Sequence, residues 1–199
     1  MRIIKSICSI KADPGNHRIR FSSILLFIVV FVMSSHWHLL AENGYELWMR
    51  YAPVSSPVML EQYRSGIREV VFQGNSETIQ IAKHEITYAL SSMLSITVPS
   101  SGSANLDGFL VAGTSENSII VDNLDLAGRL SDVGEEGYII MNAVYDNKKC
   151  IVVAANNDIG ILYGVYHLIR LIQTEKDISC LDIVSYPKIK IRVLNHWDN

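Results

Sequence analysis

Apolar positions along this chain change period several times, and each change marks an element. In REVVFQG at 68–74 an apolar centre is closed by Gly74, which reads as a strand; Asn75 and Ser76 then offer an N-cap. Ile79, Ala82, Ile86, Ala89, Leu90 and Met93 follow at the 3-4 spacing of one buried face. That periodicity predicts a helix to about Ser95 with one buried stripe, leaving Lys83, His84, Glu85 and Thr87 largely on the other face. GFLVAGT at 108–114 is a short apolar run between glycines, read as a second strand, and the stretch from Ser115 to Leu130 supplies a shorter helix or a loop. In residues 137–156 two apolar runs flank Asp146 and Asn147, a hairpin signature without the ideal Asn-Gly pair. The segment 156–173 then starts with Asn and Asp caps and gathers Ile161, Leu162, Val165, Leu168, Ile169 and Ile172 on one side, a second covering helix.

Together these elements predict an α+β fold, an α/β sandwich in which a mixed β-sheet is covered by helices on one side of a single core over residues 60–185. Residues 174–187 read as a connector, and Pro187 marks the entry to something new. From Lys188 the alternation restarts: Ile189, Ile191 and Val193 interleave with Lys188, Lys190 and Arg192, the pattern of a strand belonging to a second unit.

Length and charge narrow the class. A chain of 199 residues with 49% apolar content accommodates about one domain, not a large enzyme. The formal charge of -3 conceals an asymmetry, because residues 1–41 carry five basic residues against Asp13, and 42–199 carry a net of -7. An acidic body without a basic stripe argues against nucleic acid as a partner, since phosphate neutralisation supplies most non-specific affinity. The basic stretch to Arg20, the apolar run of 13 at 21–33 and the small and polar residues after it have the order of a secretory signal peptide, 1–41, too short for a comfortable bilayer span of about 20 residues. Cleavage after Ser34, Ser35 or Ala41 would export the remainder to the periplasm or beyond, and an uncleaved run would anchor it to the membrane.

Candidate chemistry in the body is sparse. Cys8 leaves with the signal, and Cys150 and Cys180, 30 residues apart, form no framework; two buried free thiols in or beside strands is the favoured reading, with a disulfide the alternative. HEITY at 84–88 opens like a zinc-protease helix but lacks the second His, so His84 is expected at the surface. HWH at 36–38 offers two imidazoles and no third ligand. Gly160 and Gly164 give one helix a flat face for close packing on the sheet. Asp122, Asp125, Glu135 and Glu136 fall in polar loops as solvated charges, while Tyr45, Trp48 and Tyr51 recur every 3 residues as anchors onto a core or as a strip able to stack on sugar rings.

YELWMRY at 45–51, NDIGILYGVYHLIRLIQ at 157–173 and RVLNHWDN at 192–199, in that order, resemble the alpha-glucuronidases of glycoside hydrolase family 67. The resemblance covers about 42–199 but only the amino-terminal portion of a family member. It implies a non-catalytic domain at 42–187, similar to the one preceding hexosaminidase barrels, and at 188–199 the first strand of a truncated catalytic (β/α)8 barrel. The implied reaction of the full-length enzyme is inverting hydrolysis of alpha-1,2-linked (4-O-methyl)glucuronic acid from xylo-oligosaccharides, with no cofactor. Its catalytic carboxylates belong to later barrel strands, so the chain alone is expected to be inactive, and the resemblance allows a homodimer of the full-length protein. Barrel active sites lie at the carboxyl ends of strands. His196, Trp197 and Asp198 therefore stand where a substrate pocket begins, Trp197 as packing for the sugar's apolar face or as barrel-mouth packing, His196 and Asp198 as hydrogen-bonding or orienting neighbours. The alternatives from other classes are an exported carbohydrate-binding or accessory module, and a membrane-tethered scaffold.

Overall fold

The computed structural model describes residues 50–189 and 191–193. Five helices and six strands follow in order: α1 Pro57–Gly66, β1 Glu69–Phe72, α2 Glu77–Leu94, β2 Ser100–Ser101, β3 Phe109–Gly113, α3 Ile119–Asp122, α4 Ala127–Leu130, β4 Tyr138–Tyr145, β5 Lys148–Ala155, α5 Asp158–Gln173 and β6 Asp182–Ser185. The predicted signal segment 1–41, HWH at 36–38, Tyr45, Trp48 and the tip residues His196, Trp197 and Asp198 lie outside the described residues. No helix among the described residues is long and apolar enough to cross a membrane.

The strands form one sheet in the order β2-β1-β3-β5-β4-β6. β2, β1, β3 and β5 pair in parallel, and β4 pairs antiparallel with both β5 and β6, so β4 alone runs against the rest. This is the expected mixed α+β sheet. The β4–β5 turn is the predicted hairpin: Asp146 and Asn147 sit at φ 51° and 59°, the left-handed pair that a two-residue turn requires.

Both faces of the sheet are covered, which corrects the expectation of helices on one side. Val70, Phe72, Leu110, Ala112, Ile151 and Val153 meet α2 and α5, while Val71, Phe109, Val111, Val152 and Ala154 meet Ile120, Val121, Leu126 and Leu130 from α3, α4 and the turn between them. The continuous apolar runs of β3 and β5 follow from this, since a strand buried on both faces has no polar side to alternate with.

Further elements differ from the sequence reading, among them the unpredicted two-residue β2. Helix α1 went unpredicted, although Ser56, whose hydroxyl accepts from the Met59 N–H, followed by Pro57 at the first helical turn is a start signal. The connector at 174–187 contains β6, with Tyr138 opposite Ser185 and Met141 opposite Asp182; four residues with half-buried Ile183 beside exposed Val184 are too short an alternation to read. The strand predicted over 189–194 is not seen in its described part: Ile189, Ile191 and Val193 are 67%, 81% and 82% exposed and lie outside any strand. Alternation makes a strand only where a neighbour supplies backbone partners, and none of the described strands pairs with this stretch.

The ends of α2 are fixed by local caps and by one distant cation, and α1 is tied down from far along the chain. Ser76 caps α2 by accepting from the Ile79 N–H, and Ser95 closes it at φ 54°. Arg64 donates from Nε and Nη2 to the Leu94 carbonyl (3.0 and 2.6 Å), placing a cation at the negative end of α2. Tyr63, fully buried, donates to the Lys176 carbonyl at 2.6 Å and its phenol is pushed up to about 12 by burial and by nearby Glu175 and Asp177.

Candidate functional site

The described residues nearest in sequence to the predicted tip are those where the chain leaves β6. Tyr186, Pro187 and Arg192 join Glu136, Tyr138 and Tyr163 around a cleft of about 380 Å³. Arg192 donates to the Ile189 carbonyl at 3.1 Å and to the Glu136 carboxylate at 2.5 Å, and this pairing holds its guanidinium above the usual range. Tyr138 lies against α5, its hydroxyl 2.9 Å from His167 Nδ1 with the rings 80° apart. Burial, then Arg170, pushes the His167 imidazole down, so the ring is neutral at physiological pH. The cleft's phenols and its paired Glu136 and Arg192 can bind and orient.

A second crevice, about 560 Å³, opens at the carboxyl ends of β3 and β5 between Thr114, Glu116, Asn117, Asn156, Asn157, Asp158 and Ile159. From β3 the chain turns towards α3 on one face, and from β5 it turns into α5 on the other, the kind of divergence where open α/β sheets collect ligands. Its wall is built by internal hydrogen bonds. Asn117 Oδ1 accepts from the Thr114 N–H (2.8 Å) and its Nδ2 donates to Asp158 (2.9 Å), whose other oxygen accepts from Ser76 (2.5 Å). Asn156 donates to the carbonyls of Leu130 and Gly134, both at 2.9 Å. Asn157 Oδ1 is buried without a protein partner, an acceptor suited to a hydroxyl donor.

Two carboxylates are buried among the described residues, and both are occupied structurally. Glu69, 3% exposed, accepts from Ser101 Oγ (2.7 Å), the Asn105 N–H and amide (2.8 Å each) and the Leu106 N–H (3.0 Å). Burial pushes this carboxyl up, and those bonds outweigh it and leave it below the usual range. Glu85, 6% exposed, departs from the predicted polar face of α2 because the Tyr51 hydroxyl donates to it from the segment ahead of α1. Burial and this bond to a carboxylate push the Tyr51 phenol far up. Glu85 lies on the face covered by α2, whereas Glu69 alternates with Val70 and points to the opposite face. An inverting glycosidase needs its acid and base about 6.5–9.5 Å apart across one bond. This pair cannot serve.

Other readings settle directly. His84 is exposed, and Gly160 and Gly164 are buried against Ala155 and Val153 as packing glycines. Cys150 is buried in β5, with its thiol pushed up to about 11 by desolvation, but Cys180 is exposed and free, correcting the expectation of two buried thiols. Among the described residues no group of three or more His, Cys, Asp or Glu is placed to hold a metal ion. The Asn117–Asp158 bridge went unpredicted; its sequence signal is an Asn just after one strand and an Asp opening a helix, which is legible only as caps.

Comparison with known proteins places this arrangement. The model of the glycosyl hydrolase family 67 N-terminus matches residues 47–168, more than half the chain. Alpha-glucuronidase A of Aspergillus tubingensis is 26% identical over 165 residues, covering 80% of this chain and 18% of the relative. Probable alpha-glucuronidase A of Aspergillus clavatus is 26% identical over 168 residues with the same coverage. The chain thus spans about a fifth of the length of the curated relatives it matches. Among solved structures, a family 115 4-O-methyl-alpha-glucuronidase with specificity for decorated arabinogalactans aligns at a TM-score of 0.43 and 19% identity, over 53% of this chain and 13% of that one. With the family model spanning β1 through most of α5, the chain belongs to glycosyl hydrolase family 67 and contains that family's amino-terminal domain.

Proposed function

We propose that this chain is the non-catalytic amino-terminal portion of an exported, xylan-degrading alpha-glucuronidase, and that hydrolysis of alpha-1,2-linked (4-O-methyl)glucuronic acid from xylo-oligosaccharides belongs to a catalytic barrel entered after Pro187. The observation that carries this reading is the family match over residues 47–168. The commitment of both buried carboxylates, Glu69 and Glu85, to internal hydrogen bonds on opposite faces of the sheet supports a non-catalytic role. In this reading Trp197 packs on the apolar face or O-methyl group of the sugar, with His196 and Asp198 beside it as hydrogen-bonding or orienting groups. Glucuronic-acid-substituted xylo-oligosaccharides are the partners of the full-length enzyme, which works without a cofactor and whose assembly as a homodimer is part of the same reading. Segment 1–41 directs the protein out of the cytoplasm.

The test is an assay of the 199-residue chain on aldouronic acids, following released glucuronic acid. No release is expected at any pH from 4 to 8, since inverting hydrolysis requires an acid and a base placed across one bond. Turnover that persists through repurification would overturn the division of labour.

A further inference from the structure

Helix α2 turns a second side away from the sheet, and that side borders a groove. Gln80, Lys83, His84, Thr87, Tyr88 and Ser91, together with Ser100 of β2, line a groove of about 460 Å³. Tyr88 is its flat wall. The ring is 50% exposed, yet it is held from two directions: His84 lies parallel to within 10° at 6.4 Å, and Tyr51 meets it edge-on at 5.8 Å and 70°. Tyr51 is itself buried and anchored through its hydroxyl to Glu85, so the exposed ring is braced by a fixed one. An exposed aromatic face held in place binds a flat apolar surface with little loss of side-chain freedom.

The polar groups define the ligand further. Among the described residues the Lys83 ammonium has no carboxylate within ion-pair distance, and the groove is lined by no Asp or Glu although residues 42–199 carry a net charge of -7. Lys83 therefore presents a local positive charge on an acidic body, while the Ser91 and Ser100 hydroxyls and the Gln80 amide can exchange hydrogen bonds with hydroxyl groups. A flat C–H face, several hydroxyls and one carboxylate are the features of a uronic-acid-bearing sugar.

We propose that this groove binds an acidic oligosaccharide: Tyr88 packs against a pyranose face, Lys83 pairs with the uronate carboxylate, and Gln80 and Ser91 hold ring hydroxyls. The choice of a glucuronoxylan fragment as ligand rests on the alpha-glucuronidase reading, whereas the site itself rests on the groove. Binding of the whole chain is measured by calorimetry with three probes: an aldotetraouronic acid, neutral xylotriose, and an oligogalacturonide. Saturable binding of the aldotetraouronic acid is expected, weakened about tenfold or more by Tyr88→Ala and retained within about twofold by Tyr88→Phe, which keeps the ring. Lys83→Gln is expected to abolish the preference for the acidic oligosaccharide over xylotriose. Matching thermal melts confirm that the variants fold, which the exposure of Tyr88 and the half-buried position of Lys83, outside the core, favour. If the oligogalacturonide binds as well through the same residues, the site stands and the xylan assignment falls. Absence of saturable heat with both acidic probes, or binding that Tyr88→Ala and Lys83→Gln leave unchanged, overturns the proposal.

Discussion

Asn105 gives both its backbone N–H and its side-chain amide to the carboxylate of Glu69, at 2.8 Å each, and so ties the loop before β3 to the first residue of β1. With Ser101 and Leu106 completing the shell, four donors converge on one buried anion. Hydrogen bonds to a charged group contribute about 1.5–3 kcal/mol, so Glu69→Gln, which removes the charge and turns one acceptor into a donor, is expected to destabilise the fold by about that amount in urea denaturation at pH 7.

The same carboxylate makes stability acid-sensitive. Its folded pKa lies below the ordinary value of 4.5, so its contribution is present above that pH and is lost as pH falls through the lower folded value. Denaturation midpoints measured below pH 5 should fall more steeply for the wild type than for Glu69→Gln. Parallel curves would assign the acid sensitivity elsewhere.

Gly160 and Gly164 bring α5 down onto the sheet. A Cβ on Gly160 would stand 2.5 Å from the Gly137 carbonyl oxygen, and one on Gly164 would stand 2.5 Å from Val153 Cγ1. The helix-propensity gain of Gly→Ala, about 1 kcal/mol, opposes an overpacking cost of about 1–3 kcal/mol. At Gly160 the obstacle is backbone, which does not swing aside, so Gly160→Ala is expected to lower the melting temperature more than Gly164→Ala does.

The β4–β5 turn carries two non-glycine residues at positive φ, Asp146 and Asn147. Asn147→Gly relieves the second at no cost in contacts and restores the favoured Asn-Gly-like pairing. A stabilisation of up to about 1 kcal/mol is expected, read as a shift of the denaturation midpoint with an unchanged slope.

The two cysteines of the body should separate in reactivity. Cys180 is exposed, whereas Cys150 is buried and its thiol is raised to about 11, so little thiolate is present at neutral pH. In native protein, peptide mapping after brief alkylation at pH 8 should find Cys180 modified and Cys150 protected until denaturant is added. Equal labelling would contradict the burial of β5.

Strands β1, β3, β4 and β5, the Asp146–Asn147 hairpin and the buried stripes of α2 and α5 were legible in the sequence, because each depends on residues a few positions apart: caps, turn residues and a 3.6-residue period. The resemblance to family 67 was likewise local, carried by three short motifs in order. What only the tertiary structure decided depends on partners far along the chain. Glu85 is buried because Tyr51, 34 residues earlier, lies over it, and Glu69 is buried because a loop more than 30 residues later brings four donors. β6 exists because β4 offers an edge, and the second face of the sheet is covered because α3 and α4, too short to show a period, fold back across it. A side chain's sequence neighbours set its conformation, but its burial and charge state are set by whatever packs against it, and that is a property of the fold.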